Sequence, residues 1–208
     1  MLPIEQFRPA VKQGFFERVA SKFHDRGWGE YISLCRYPEL LNTMNLENPL
    51  FVVHPGYRGY YPQELEDRGI PPDSYRMYLD RLRGTVGKAV ADGREVFVFT
   101  PTSYREKTLA TIGHSDGVIL IPTVGTGVFP DGEILGSETH SLYWRLQQTV
   151  RQADICGEYG DRGCDSIARC VVGVEQTFPD IHFTWIDECI YITGDRFRKL
   201  PFHSALST

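Results

Sequence analysis

The sequence has 208 residues, of which 41% are hydrophobic and 24% are charged, and its 22 basic and 27 acidic side chains give a formal net charge of −5. This composition is typical of a folded globular protein and excludes disordered, fibrous and repeat classes. The acidic balance also disfavours non-specific nucleic-acid binding, which requires a dense basic face.

The N-terminal part of the chain has helical periodicity. Residues 10–25 form one apolar stripe at helical spacing, made of Val11, Phe15, Val19 and Phe23. A second, shorter helix is predicted within 30–46, where Pro38 interrupts it. About forty residues rarely form a core of their own. We therefore expect a single domain over 1–208, in which 1–47 is a helical extension packed on an α/β core of 48–208.

From residue 50 onward, short apolar runs alternate with helical patterns. Strands are predicted at 50–53, 95–99, 117–121, 153–156 and 182–186. Helices are predicted between them at 74–92, 103–112, 138–151 and 164–178. Strands that are apolar on both faces and alternate with helices favour a mostly parallel sheet covered on both sides. The expected fold is a three-layer α/β/α, Rossmann-like domain of about five strands.

Polar residues follow the predicted strands, at the edge where open parallel sheets bind their ligands. This position predicts substrate-binding roles for Tyr57, Arg58, Thr102, Ser103, Arg105, Thr123, Gly125, Thr126, Tyr159, Asp161 and Arg162. The arginine side chains in this set suit an anionic group. The glycines at 124–127 and 157–160 suit either a phosphate-binding turn or a plain turn, and the sequence has no Walker-type lysine motif.

Three residues of this edge are candidates for catalysis. His54 directly follows a strand and titrates near neutral pH, as a general acid or base must; the alternative is a histidine bound to a neighbouring loop. Glu158 would orient the substrate or share a proton. Cys164 begins a predicted helix, and the helix dipole together with Arg162 would stabilise its thiolate as a nucleophile. The alternative is that Cys164 is a buried core residue on the apolar face of this helix.

The order of strand, glycine, loop, cysteine and helix over 153–188 is locally similar to that of the isochorismatase-like cysteine hydrolases. The resemblance implies a related layered architecture. That family has an aspartate after its first strand and a lysine after its third, and these places hold His54 and Thr123 here. The resemblance therefore does not extend to the family's catalytic residues.

Metal binding has little support in the sequence. No two histidines have the spacing of a helical ligand pair, and nothing resembles a structural zinc site. A divalent ion such as magnesium, held by one or two carboxylates, stays an open alternative because such a site leaves almost no sequence trace. Asp187 and Glu188, near the end of the last predicted strand, are either ligand-facing carboxylates or a solvated strand end.

The cysteines and the apolar runs predict where the protein resides. Five cysteines, an odd number without a CxxC pair, favour a reduced intracellular protein. Residues 1–14 lack the apolar segment of a signal peptide, and the longest apolar runs are too short to span a bilayer. We expect a cytoplasmic protein that does not contact membranes.

Together these features favour a small-molecule enzyme, a hydrolase or transferase that acts on a polar, anionic or nucleoside-like substrate at the carboxyl ends of the strands. The alternative is a non-catalytic metabolite-binding or regulatory module that forms a homodimer through its N-terminal helices. Phe15, Phe16, Val19 and Phe23 give that segment more apolar surface than one stripe requires.

Overall fold

The structure is a computed structural model that describes residues 27–56, 72–113, 116–123, 136–160, 174 and 177–193. Its helices are α1 (Gly29–Arg36), α2 (Pro72–Ala91), α3 (Arg105–Ile112) and α4 (Gly136–Thr149), with 3-10 helices at Pro38–Thr43 and Thr102–Tyr104. Its strands are β1 (Leu50–Val53), β2 (Val96–Pro101), β3 (Val118–Thr123), β4 (Gln152–Gly160) and β5 (His182–Thr193). None of the described helices has both the length and the hydrophobicity that a bilayer span requires.

The strands form one five-stranded sheet in the order β3-β2-β1-β4-β5, and every pair of neighbours is parallel. The predicted α/β class and parallel sheet are therefore confirmed. The strand order, which the sequence left open, places β1 at the centre. The chain moves outward from β1 to β2 and β3, and then returns to the other side of β1 to form β4 and β5.

Helices cover both faces of the sheet. Successive residues of a strand point to opposite faces of the sheet. The contacts of the neighbouring residues Phe99 and Thr100 therefore identify the helices that cover the two faces. The Phe99 ring contacts the ring of Tyr143 in α4 at a centroid distance of 6.3 Å. The Thr100 hydroxyl lies 2.7 Å from the hydroxyl of Thr108 in α3, and α2 packs beside α3. The contacts thus support the predicted three layers.

The part of the predicted N-terminal extension that is described packs on the core. Helix α1 contacts α4 and β3, and the 3-10 helix at Pro38–Thr43 separates it from β1. Pro38 occupies the first position of that 3-10 helix, which agrees with the predicted interruption. The predicted helix over 10–25 lies outside the described residues.

Phe51 is the centre of the core on the α4 side of the sheet. Its ring is fully buried and lies 5.4 to 5.8 Å, centroid to centroid, from four other phenylalanine rings: Phe97, Phe99, Phe178 and Phe183. Three of these four pairs meet nearly edge to face, the arrangement that the charge distribution of aromatic rings favours. This aromatic cluster fixes β1 against its neighbours and so fixes the position of the strand ends.

The helix predictions agree with the structure where it can be compared. Helix α2 buries Leu82 and Val86 at helical spacing and is followed by Gly93 with a positive φ of 69°. The helix begins at Pro72, two residues before the predicted start, and Asp73 lies in its first turn. Of the predicted helix over 164–178, only Val174 and residues 177–178 are described; Val174 is helical and fully buried.

Both C-terminal strands are longer than predicted. β4 continues through Gly160 and β5 through Thr193, with the pairing resuming at Gly157 and Ile190 after an irregularity. In this irregularity, residues 186–189 of β5 lie opposite Cys156 alone. Residues 157–160 are therefore part of a strand, and both readings of this segment as a turn are wrong. Asp187 and Glu188 are exposed within the β5 irregularity.

Candidate functional site

Buried polar groups collect at the carboxyl edge of the sheet. Leaving aside tyrosine and cysteine, the buried polar or charged residues in the described part of the chain are His54, Thr100, Thr108, Thr123 and Glu158. Four of them belong to the ends of β1, β2, β3 and β4, and Thr108 is hydrogen-bonded to one of these four. Burying polar groups is costly unless they are paired or used. This edge is therefore the candidate site.

The centre of this edge is the switch point between β1 and β4, where the direction of the chain across the sheet reverses and where this topology predicts a ligand-binding crevice. Open α/β sheets bind ligands at such a crevice. Val53 pairs in register with Gly157, so His54 and Glu158 are the next residues along two adjacent parallel strands. The structure thus places the first two of the three residues predicted to be catalytic at neighbouring strand ends, where their side chains bind different partners.

Gly157 allows the two strands to approach at this point. Its φ of +130° lies in a region that side-chain-bearing residues rarely adopt. A Cβ atom at this position would lie 2.1 Å from the carbonyl oxygen of Val53. No non-glycine residue fits here without moving β1 away from β4.

His54 has an unusual backbone conformation and a defined side-chain partner. Its φ is +46°, and its backbone N–H donates a 2.9 Å hydrogen bond to the carbonyl of Phe99. Its side-chain Nε2 lies 3.1 Å from the hydroxyl oxygen of Thr123, and both residues are almost fully buried. Thr123 is the last residue of β3, so the partner is another strand end. A proton can move between the two side chains. A hydroxyl group can donate and accept a hydrogen bond at the same time, and an imidazole nitrogen can be a donor or an acceptor.

Glu158 is held by a tyrosine of α2. The hydroxyl of Tyr75 donates a 2.6 Å hydrogen bond to Oε1 of Glu158, whose exposed fraction is 2%. The spacing of apolar residues in the sequence places Tyr75 on the apolar face of the predicted helix over 74–92 and indicates no further role. The residue type is the signal in the sequence that could have indicated the hydrogen bond to Glu158. A phenylalanine would fill the same space, whereas the hydroxyl of a buried tyrosine needs a hydrogen-bond partner.

Two further tyrosines pack beside this hydrogen bond. The rings of Tyr75, Tyr78 and Tyr191 lie 5.1 to 5.7 Å apart, centroid to centroid. The Tyr78 hydroxyl is buried and makes no hydrogen bond in the described structure. Burial, together with the nearby carboxyl of Glu158, raises the pKa of Tyr78 well above its ordinary value. The hydroxyl therefore stays neutral at the pH values at which an exposed tyrosine ionises.

We expect Tyr78→Phe to make stability less sensitive to alkaline pH. Because the folded-state pKa of Tyr78 is raised, the folded state loses stability as the pH rises above the unfolded value of about 10. Removing the hydroxyl should reduce this loss by up to about 1.4 kcal/mol per pH unit. Urea unfolding between pH 8 and 12 measures the effect.

The same substitution should be neutral or slightly stabilising near pH 7, because it removes a buried hydroxyl that has no hydrogen bond. The matched control is Tyr37→Phe, at an exposed tyrosine. Equal alkaline slopes for the wild type and Tyr78→Phe would contradict this account.

The other predicted binding residues fall into two groups. Thr102 and Ser103 lie in the 3-10 helix directly after β2, and Tyr159 lies in β4. Arg105 donates a 3.1 Å hydrogen bond to the carbonyl of Gly27 and pairs with Glu106, so its guanidinium is engaged with the segment that precedes α1. The remaining predicted residues lie outside the described residues: Tyr57, Arg58, Gly125, Thr126, Asp161, Arg162 and Cys164.

The described residues provide no preformed metal site. Among them, no three His, Cys, Asp or Glu side chains are grouped so that they could hold a metal ion. The described cysteines, Cys35, Cys156 and Cys189, are buried and form no disulfide. Burial raises the pKa of both Cys156 and Cys189, which disfavours the reactive thiolate.

Comparison with known proteins gives no independent assignment for this site. No protein-family model matches the sequence, and no curated protein matches it as a relative.

Proposed function

We propose that this protein is a small-molecule enzyme, a hydrolase or transferase that acts on a polar, anionic or nucleoside-like substrate at the carboxyl edge of its sheet. The observation that carries the proposal is the pairing of buried polar groups along the carboxyl edge of the sheet. Glu158 of β4 is bound by Tyr75, and His54, which follows β1, is bound by Thr123 at the end of β3. A crevice of this topology is where parallel sheets bind ligands.

The two buried pairs support different roles. The Thr123 hydroxyl orients the ring of His54, and an imidazole nitrogen can accept a proton from a substrate or water or donate one to it. The Tyr75 hydroxyl fixes the carboxyl of Glu158, which then provides acceptor oxygens for O–H or N–H groups of the substrate. Both groups act in surroundings with little water, where polar interactions are stronger.

The proposal includes a cytoplasmic location. Cys35, Cys156 and Cys189 form no disulfide in the described structure, which suits a reducing compartment. The homodimer alternative rests on phenylalanines of the N-terminal helix, which lie outside the described residues.

The first test is a ligand screen by thermal unfolding. The purified protein is mixed with nucleosides, nucleotides, sugar phosphates, small carboxylates and divalent metal ions. A ligand at about one hundred times its Kd stabilises the native state by about 2.7 kcal/mol, so a true ligand raises Tm by several degrees. We expect at least one compound of the polar or anionic classes to do so.

Matched variants connect a ligand of this screen to the site. Glu158→Gln keeps an oxygen that accepts from Tyr75 but removes the ionisable carboxyl group, and it should abolish the Tm shift while leaving the fold intact. Glu188→Gln makes the same change at an exposed carboxyl of β5 and should have no effect. An equal Tm shift in wild type and Glu158→Gln would exclude this site. A bound ligand that is never converted would favour the metabolite-binding alternative.

A further inference from the structure

A cavity of about 570 Å³ opens at the opposite edge of the sheet, where the strands begin. Its walls come from α1, from the 3-10 helix at Pro38–Thr43, and from the starts of β2 and β3. Glu95 directly precedes β2, and Gly117 directly precedes β3. The volume is in the range of cavities that bind small molecules. This cavity is separate from the crevice at the carboxyl edge.

The cavity wall offers apolar surface and acceptor oxygens. Its apolar side chains are Leu34, Leu40, Met44 and Ile119. Its two hydroxyl groups already donate to backbone carbonyls, Ser33 to Gly29 at 2.9 Å and Thr43 to Leu40 at 2.7 Å. The charged side chains that line it are two carboxylates, Glu30 and Glu95, and the lining includes no lysine, arginine or histidine in the described part of the chain. A complementary ligand therefore has an apolar body and a positively charged donor.

The electrostatics of Glu30 agree with this chemistry. Glu30 is exposed in the first turn of α1, where the helix dipole favours a carboxylate. Burial and the negative charges of Glu95 and Asp116 nevertheless raise the pKa of Glu30. A cation in the cavity would relieve the repulsion between the carboxylates.

We propose that this cavity binds an amphipathic organic amine. The ammonium group faces Glu30 and Glu95, and the apolar body of the amine packs on the aliphatic side chains of the wall. The proposal stands on the shape and lining of the cavity and does not depend on the function proposed for the crevice between β1 and β4. The net charge of −5 also favours the approach of a cation.

Three probes of nearly the same size and different charge test the proposal by isothermal titration calorimetry on the full chain. These are phenethylamine, which is a cation, 2-phenylethanol, which is neutral, and phenylacetate, which is an anion. We expect phenethylamine to bind about tenfold more tightly than the alcohol, and phenylacetate to bind least. Its affinity should fall as the salt concentration rises.

Variants assign the binding to the cavity. Glu30→Gln and Glu95→Gln should each weaken phenethylamine binding by about fivefold, because each removes one partly exposed charge partner. Glu39→Gln makes the same change at an exposed carboxyl of the adjacent 3-10 helix that does not line the cavity, and it should leave the affinity unchanged. Circular dichroism confirms that each variant is folded.

Three results would overturn the proposal: phenethylamine affinity weaker than about 10 mM, equal affinities for the amine and the alcohol, or equal losses in Glu30→Gln and Glu39→Gln. These results are independent of the ligand screen for the crevice, because that screen compares the Tm shifts of the wild type and Glu158→Gln.

Discussion

Replacing Gly157 with alanine is expected to destabilise the protein by at least about 3 kcal/mol. The backbone at Gly157 has a φ of +130°, which costs a side-chain-bearing residue energy by itself. The added methyl group would also lie 2.1 Å from the carbonyl oxygen of Val53, and this oxygen belongs to a central strand that cannot move independently. The variant should therefore lose both stability and the alignment of His54 with Glu158.

Urea unfolding monitored by circular dichroism measures this loss, and Gly84→Ala is its control. Gly84 lies inside α2, and no atom lies within 4 Å of the position of an added Cβ. Alanine is a better helix former than glycine, so Gly84→Ala should stabilise the protein by about 0.5 to 1 kcal/mol. Similar small effects from the two substitutions would show that β1 and β4 are not as close at Gly157 as the structure indicates.

Replacing His54 with asparagine is expected to lower kcat/KM by about 10² to 10⁴, the usual contribution of a general acid or base. Asparagine is suited to this test because it adopts a positive φ more readily than most residues, and the φ of His54 is +46°. The substitution removes the imidazole with little disturbance of the backbone. The assay uses the substrate that the ligand screen identifies.

Thr123→Val separates the chemical role of His54 from the positioning of its ring. Valine has nearly the same shape as threonine, but it cannot form the 3.1 Å contact with Nε2. We expect a smaller loss of kcat, about tenfold, and a shift in the pH profile, since the hydroxyl influences the proton affinity of the ring. If His54→Asn keeps its fold and more than a tenth of the wild-type activity, His54 is not the acid or base.

The fold was predictable where both faces of a strand are buried. β1, β2 and β3 are buried at every position, and this burial appears in the sequence as uninterrupted apolar runs. β4 and β5 were predicted too short because Glu158, Asp187 and Glu188 interrupt their apolar runs. The strand order depends on which strands pair across long stretches of chain, and local patterns carry no information about that choice.

The candidate site was predictable only in part. The rule that ligands bind beyond parallel strands directs attention to His54, Thr123 and Glu158, and the structure places all three at one edge of the sheet. The hydrogen bond from Tyr75 joins residues 83 positions apart, and no spacing in the sequence indicates it. Gly157 was read as part of a turn because a glycine that relieves a close contact between strands has no local signature.

The irregularity in β5 has a consequence for how the protein behaves at high concentration. β5 is the last strand of the described sheet, and an outer strand with unpaired backbone groups can recruit another chain. Its pairing with β4 is interrupted opposite Cys156, and the exposed carboxylates of Asp187 and Glu188 lie within that interruption. A bent, negatively charged outer strand is a poor template for strand addition. In the described part of the sheet, we therefore expect the two carboxylates to disfavour edge-to-edge association at β5.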